Sequence, residues 1–257
     1  MTAEDIKELA KAKKLLENPG LAIKISDYIG SPIEKGLNFL PANWKDKVGK
    51  ATQRALTKSL EASLRTLNTH KALPPRKKLH TLGTAMSGGI GGFFGFSALL
   101  LELPVSTTIM LRSIADIARS RGEHIEGLEA KLACMEVFTM GGRSHADDGA
   151  ETSYFAMRST LSNALGSLGQ QIIADGIKQS SNNLIIKFIA KIAERFGLQV
   201  TQKVAAQAIP VIGAVGGAAI NTIFINHYQQ MGTGHFIVRQ LSRKYPEDTV
   251  RAMYEKL

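Results

Sequence analysis

Ser87-Gly88-Gly89-Ile90-Gly91-Gly92-Phe93-Phe94-Gly95-Phe96-Ser97-Ala98-Leu99-Leu100-Leu101-Glu102-Leu103-Pro104 decides how this chain is read. Between Leu79 and Leu111, Glu102 is the sole charged residue. A second run, Val204 to Val238, holds no Asp, Glu, Lys or Arg and includes Ile209-Pro210-Val211-Ile212-Gly213-Ala214-Val215-Gly216-Gly217-Ala218. Gly88 with Gly92, Gly91 with Gly95 and Gly213 with Gly217 are small-residue pairs four apart, a spacing that lets helix backbones approach closely. Both runs are long enough for membrane spans, which need about 20 apolar residues. Their composition argues otherwise. Glycine is frequent, Gln207 and Asn221 interrupt the second run, and Glu102 would cost about 2.5–3.5 kcal/mol at a bilayer centre. The reading is therefore two uncharged, Gly-rich helices, 83–101 and 208–225, packed centrally, with re-entrant or shallow membrane insertion as the alternative.

Outward from these runs the pattern is helical. Ile6, Leu9, Ala10, Lys13 and Leu16 form a stripe opposite Lys7, Lys11 and Lys14, and Thr2 with Asp5 resembles a capping box. The spacing predicts a long helix over Asn43–Asn68, with Val48, Thr52, Ala55, Ser59, Ser63 and Leu67 inward and Lys50, Arg54, Lys58, Glu61 and Arg65 in water. Further helices are expected over Pro104–Arg121, Ile125–Met140 (ended by Gly141-Gly142), Asp148–Ser180 and Asn183–Phe196 (ended by Gly197). Pro104 lacks an N–H, so the helix is expected to break or restart there. No long run alternates with period two. The fold class is all-α: a basic amphipathic helix over 1–20, then one helical domain over 21–257.

Composition narrows the function. The chain has 257 residues, 44% hydrophobic and 21% charged, which excludes intrinsic disorder. A single cysteine, Cys134, excludes a disulfide framework or a cysteine-built zinc site and reads as an inert core thiol. The net charge is 32 − 22 = +10, and residues 1–80 supply 16 − 8 = +8 of it. Lys7, Lys11, Lys14 and the turn Arg76-Lys77-Lys78 are thus the candidate membrane or anion-binding residues. The start Met1-Thr2-Ala3-Glu4-Asp5 does not read as a secretory signal, so a cytoplasmic location is expected. Nucleic acid is an unlikely partner, since Tyr28, Phe39 and Trp44 are the only aromatics in the basic third.

Two constellations could carry chemistry. His145, Asp147, Asp148 and Glu151 place carboxylates and an imidazole on one face of a helix start, a pattern that suits a divalent metal or simply a capped helix. Glu102 and Glu136 are isolated carboxylates in apolar surroundings and need partners, Arg112 and Arg158 being the nearest by pattern. They are candidate catalytic residues or members of buried ion pairs. His227 and His235 are too loosely spaced to signal a metal.

The run Leu101-Glu102-Leu103-Pro104-Val105-Ser106-Thr107-Thr108-Ile109-Met110-Leu111-Arg112-Ser113-Ile114-Ala115 resembles the EcsC protein family. So do Leu132-Ala133-Cys134-Met135-Glu136-Val137-Phe138 with Gly141-Gly142, Tyr154-Phe155-Ala156-Met157-Arg158, Ile209-Pro210-Val211-Ile212-Gly213-Ala214, Asn221, His227 and His235-Phe236-Ile237-Val238-Arg239. The similarity covers roughly residues 15–257 in order. It implies a bacterial-type, often membrane-associated helical protein, and no catalytic residue, substrate or cofactor. The leading expectation is a non-enzymatic, cytoplasmic, peripheral membrane protein that binds anionic lipid or a membrane-protein partner. The other is a metal-assisted hydrolase of a lipid or phosphoester built on the carboxylates.

Overall fold

A computed structural model of the chain describes residues 1–17, 20–30, 32–66, 77–141, 154–155, 158–159, 179–209 and 213–257. Among these every regular element is a helix: α1 (Ala3–Leu16), α2 (Leu21–Ile29), α3 (Glu34–Leu37), α4 (Trp44–Thr66), α5 (Lys77–Ser120), α6 (Leu128–Glu136) with a 3₁₀ turn at Val137–Thr139, α7 (Gln179–Ala208), α8 (Gly213–Lys244) and α9 (Glu247–Lys256). The protein is all-α.

Local patterning accounts for much of this. Thr2 caps α1, its Oγ1 accepting the Asp5 amide at 3.2 Å. In α4, Val48, Thr52, Ala55, Ser59 and Ser63 are all buried, and Lys50, Arg54, Lys58 and Glu61 are exposed, as the spacing predicts. Small hydroxyls suit this face: Ser59 donates to Ala55 O at 2.7 Å and lies 3.1 Å from Thr108 Oγ1 on α5.

The centre departs from expectation. At 1.5 Å per residue, His80 and Asp116 would lie about 54 Å apart on a straight helix, yet His80 Nε2 is 2.9 Å from Asp116 Oδ2. A Cβ on Gly83 would touch Ile109, and Asn221 Nδ2 reaches both Thr84 O and Glu102 Oε1 at 2.9 Å. α5 therefore doubles back on itself between Thr84 and Glu102, the stretch that carries Gly88, Gly89, Gly91, Gly92 and Gly95. Pro104 does not break the helix. The arm runs on through it to Ser120, held by buried Leu103, Met110, Leu111 and Ile114, and Thr108 Oγ1 donates to Pro104 O at 2.7 Å. Packing of that apolar face outweighs the one backbone bond that proline removes.

Against both arms of α5 packs α8, their most extensive neighbour. It runs parallel to the second arm and antiparallel to the first: Asn221 meets Thr84, Asn226 is 3.4 Å from Thr81, Gln229 donates to Ser113 at 2.9 Å, and Arg239 meets Glu123. Gly197 does not end a helix either. α7 continues to Ala208, with Phe196 and Val200 buried on either side of the glycine. The expected Ile125–Met140 helix is shorter, Leu128–Glu136 plus the 3₁₀ turn, and it stops at Gly141 with φ +77°. A side chain at Gly141 would collide with the His227 ring. The helix expected over Asp148–Ser180 lies almost wholly outside the described residues.

The amphipathic α1 lies along α8 with Leu9 and Ala12 buried. Gly234 makes that contact possible, since a Cβ there would stand 2.7 Å from Leu16 Cγ and 3.0 Å from Ala12 O. Asp5 receives Lys244 Nζ and Tyr245 Oη at 2.6 Å, and Arg121 reaches Glu8 at 2.8 Å.

Candidate functional site

Glu102 is buried, and its partner is neither Arg112, which stays at the surface, nor Arg158, which lies 3.4 Å from Glu247 on α9. It is Lys203. The Lys203 ammonium sits 2.9 Å from Glu102 Oε2, with side chains only 2% and 5% exposed. Asn221 donates to the other carboxylate oxygen, and the ammonium also lies 5.3 Å from the Phe224 ring centre. Thr84, Glu102, Lys203 and Asn221 thus form one polar layer across both arms of α5, α7 and α8. Lys203 escaped the sequence reading because it is 101 residues from Glu102. One signal was present: it is the last charge before the 35-residue uncharged run.

Next to the layer's residues in sequence lie two uncharged stretches. Residues 85–101, which follow Thr84 and precede Glu102, and residues 204–220, which follow Lys203 and precede Asn221, are each 17 residues without Asp, Glu, Lys or Arg. Gln207 Nε2 donates within the second stretch to Gly217 O at 3.2 Å. Gly36 of α3 lies directly against the Ala205 backbone, so α3 and the start of α4 are beside it. There Phe39, Lys35, Lys45 and Lys47 are exposed and Trp44 is half-buried. On the outer face of α5 beside the layer, Leu101 is 77% exposed, Val105 53%, and Leu82 is exposed on the other arm.

A second polar cluster lies further down α8. Glu136 at the end of α6 and His235 of α8 are buried, with Glu136 Oε2 3.7 Å from His235 Nε2. The Tyr154 hydroxyl shares a 2.8 Å hydrogen bond with His235 Nδ1. Burial pushes the Glu136 carboxyl up to about 7, against the opposing pull of the Arg239 and Arg158 guanidiniums. Burial, with the same two arginines, holds His235 well below its ordinary value, so the ring is neutral. At 3.7 Å the Glu136 carboxyl stands just beyond hydrogen-bond reach of His235 Nε2. Next to it, Glu123 takes Arg239 at 2.9 Å and Arg243, and stays ionised because these two guanidiniums outweigh its own burial. Cys134 is an inert core thiol, its pKa raised by burial.

His145, Asp147, Asp148, Glu151 and Arg76 lie outside the described residues. No three His, Cys, Asp or Glu among the described residues gather to hold a metal. Glu102 faces an ammonium and Glu136 faces guanidiniums, settings that repel a cation. Lys7, Lys11 and Lys14 are exposed on α1, which contacts α8 at Gly234, thirteen residues from Asn221 and so about 20 Å from the layer. Lys77 opens α5 and Lys78 is exposed two residues before His80.

No curated protein and no solved structure matches this chain. A family model does, over residues 3–241 of 257. That span contains the polar layer, both uncharged stretches and the Glu136–His235 pair, and with it the chain belongs to the EcsC protein family.

Proposed function

We propose that this is a peripheral membrane protein that engages anionic lipid from the cytoplasmic side and catalyses no reaction. One observation carries the reading. Lys47, Lys50, Arg54 and Lys58 are exposed along a single face of α4, and exposed Lys35 and Lys45 stand beside its start. Over Trp44–Thr66 the balance is 6 − 2 = +4. A cation near an anionic bilayer is worth about 1 kcal/mol, and the attraction is screened by salt. The metal-assisted hydrolase draws no ligand set from the described residues.

Flotation with vesicles of phosphatidylcholine, with and without phosphatidylglycerol, tests this. Binding is expected only with the anionic lipid and weakens as salt rises. Lys50→Glu/Arg54→Glu/Lys58→Glu removes at least three favourable contacts, so affinity falls by a factor of about 100 or more. Lys7→Glu/Lys11→Glu/Lys14→Glu, on the far end, is expected to retain binding. No flotation on anionic vesicles at low salt, with monodisperse protein, overturns the reading and leaves a protein partner as the remaining route to the membrane.

A further inference from the structure

We propose that the exposed face of α4 is a site for a lipid headgroup that carries two phosphodiesters joined by one glycerol, as in cardiolipin. This rests on the membrane-binding reading above and names the headgroup that α4 takes. Lys50, Arg54 and Lys58 follow one another at four-residue steps, all exposed, and among the described residues none of the three meets a carboxylate. Elsewhere the surface cations are matched: Arg121 meets Glu8, Arg239 and Arg243 meet Glu123, Lys244 meets Asp5 and Arg251 meets Glu255. Like charges four apart on a helix destabilise it. The fold therefore gains nothing from this row, whereas an anion set between its members relieves the repulsion.

Spacing selects the headgroup. Four residues of helix advance about 6 Å, so the row offers two gaps between cations, about 6 Å from one another. A P–O–C–C–C–O–P bridge has as many bonds as two extended residues and reaches at most about 7 Å. Both phosphates of one cardiolipin thus fit both gaps at once, and the Arg54 guanidinium, whose planar fork suits phosphate, is shared between them. The face forms an open hollow of about 470 Å³ lined by Lys50, Gln53, Arg54, Thr57, Lys58 and Glu61. Thr57 Oγ1 donates to Gln53 O at 3.0 Å, so outward it offers only lone pairs, and the exposed Gln53 amide can accept too. These groups suit the bridging hydroxyl, a donor that a bare polyphosphate lacks. Asp46 and Glu61, exposed before and after the row, close it at two phosphates and oppose a longer polyanion.

The test floats the full chain on phosphatidylcholine vesicles that carry either cardiolipin or twice the molar amount of phosphatidylglycerol, so that phosphate is equal. Cardiolipin is expected to bind about fivefold tighter or more, because its first phosphate delivers the second at high effective concentration. Arg54→Gln keeps a good helix former at an exposed position and is expected to abolish that preference. Lys11→Gln removes one exposed charge from α1 and is expected to leave the preference intact. Equal binding at equal phosphate overturns cardiolipin as the occupant and leaves anionic-lipid binding standing. A preference that survives Arg54→Gln overturns its placement on α4. Displacement from cardiolipin vesicles by duplex DNA at the same phosphate concentration overturns it as well, by showing a face that takes any polyanion. Failure to float on either vesicle removes the parent reading and this one together.

Discussion

Glu102 carries a carboxylate into an apolar layer, and the ammonium that neutralises it arrives from 101 residues further along the chain. Such a pair contributes little net stability, but breaking it is costly because the surviving charge has no water. Glu102→Gln is expected to destabilise the protein by about 3–5 kcal/mol, and Glu102→Gln/Lys203→Met to recover most of that loss. Thermal melts of the three proteins decide it; a single mutant that melts at or above wild type refutes the account. At Glu136 the sign runs the other way. A carboxyl raised from 4.5 to about 7 means the folded state keeps a proton that the unfolded state has released. Stability therefore falls as pH rises from about 4.5 through 7, by about 3 kcal/mol in all. His227, lowered to about 3 by burial and the Lys24 ammonium, and His235 act on the acid side. There the unfolded imidazoles take protons that the folded ones refuse, so stability is lost as pH drops below about 6.5. Glu136→Gln is expected to exceed wild type in melts at pH 8, to converge with it near pH 4.5, and to keep the acid limb. Equal melting at pH 8 would show that Glu136 ionises there without penalty.

Among the elements, glycine marks three different situations. Gly141 has a left-handed backbone and Gly234 a neighbouring helix at contact distance, and neither tolerates a side chain. Gly197, inside α7, and Gly49, exposed on α4, have nothing within 4 Å of a Cβ and ordinary helical neighbours. Gly197→Ala and Gly49→Ala are each expected to stabilise by about 0.5–1 kcal/mol, since alanine gives up less backbone freedom on folding. Urea unfolding measures this, and a loss of stability at either site would show a constraint that the packing does not reveal. The same contrast explains which expectations held. α4 follows from its three-and-four spacing, and the cap of α1 from Thr2 and Asp5. Helix ends placed at Pro104 and Gly197 were overridden, because both residues lie in helices whose apolar faces are buried on each side of them.

Across the whole molecule the basic residues divide between two surfaces. α1 and the Glu123–Arg239–Arg243 group lie along the second half of α8, and α3 with the start of α4 lies against α7 near Ala205. The +8 of the first eighty residues is therefore divided between two surfaces. α1 carries its lysines beside Gly234 of α8, while α4 carries its own beyond the Ala205 contact of α3. By itself the sequence determined the helical class, the buried stripe of α4, the inert thiol and the two stretches that no charge enters. Each of these depends on neighbours three or four positions away or on composition alone. Only the tertiary structure decided that α5 doubles back, that Lys203 and not an arginine meets Glu102, and that Glu136, Tyr154 and His235 share one buried site. The reason is physical: a buried charge takes whichever partner the packing of distant helices brings within about 3 Å, and no local pattern encodes that distance.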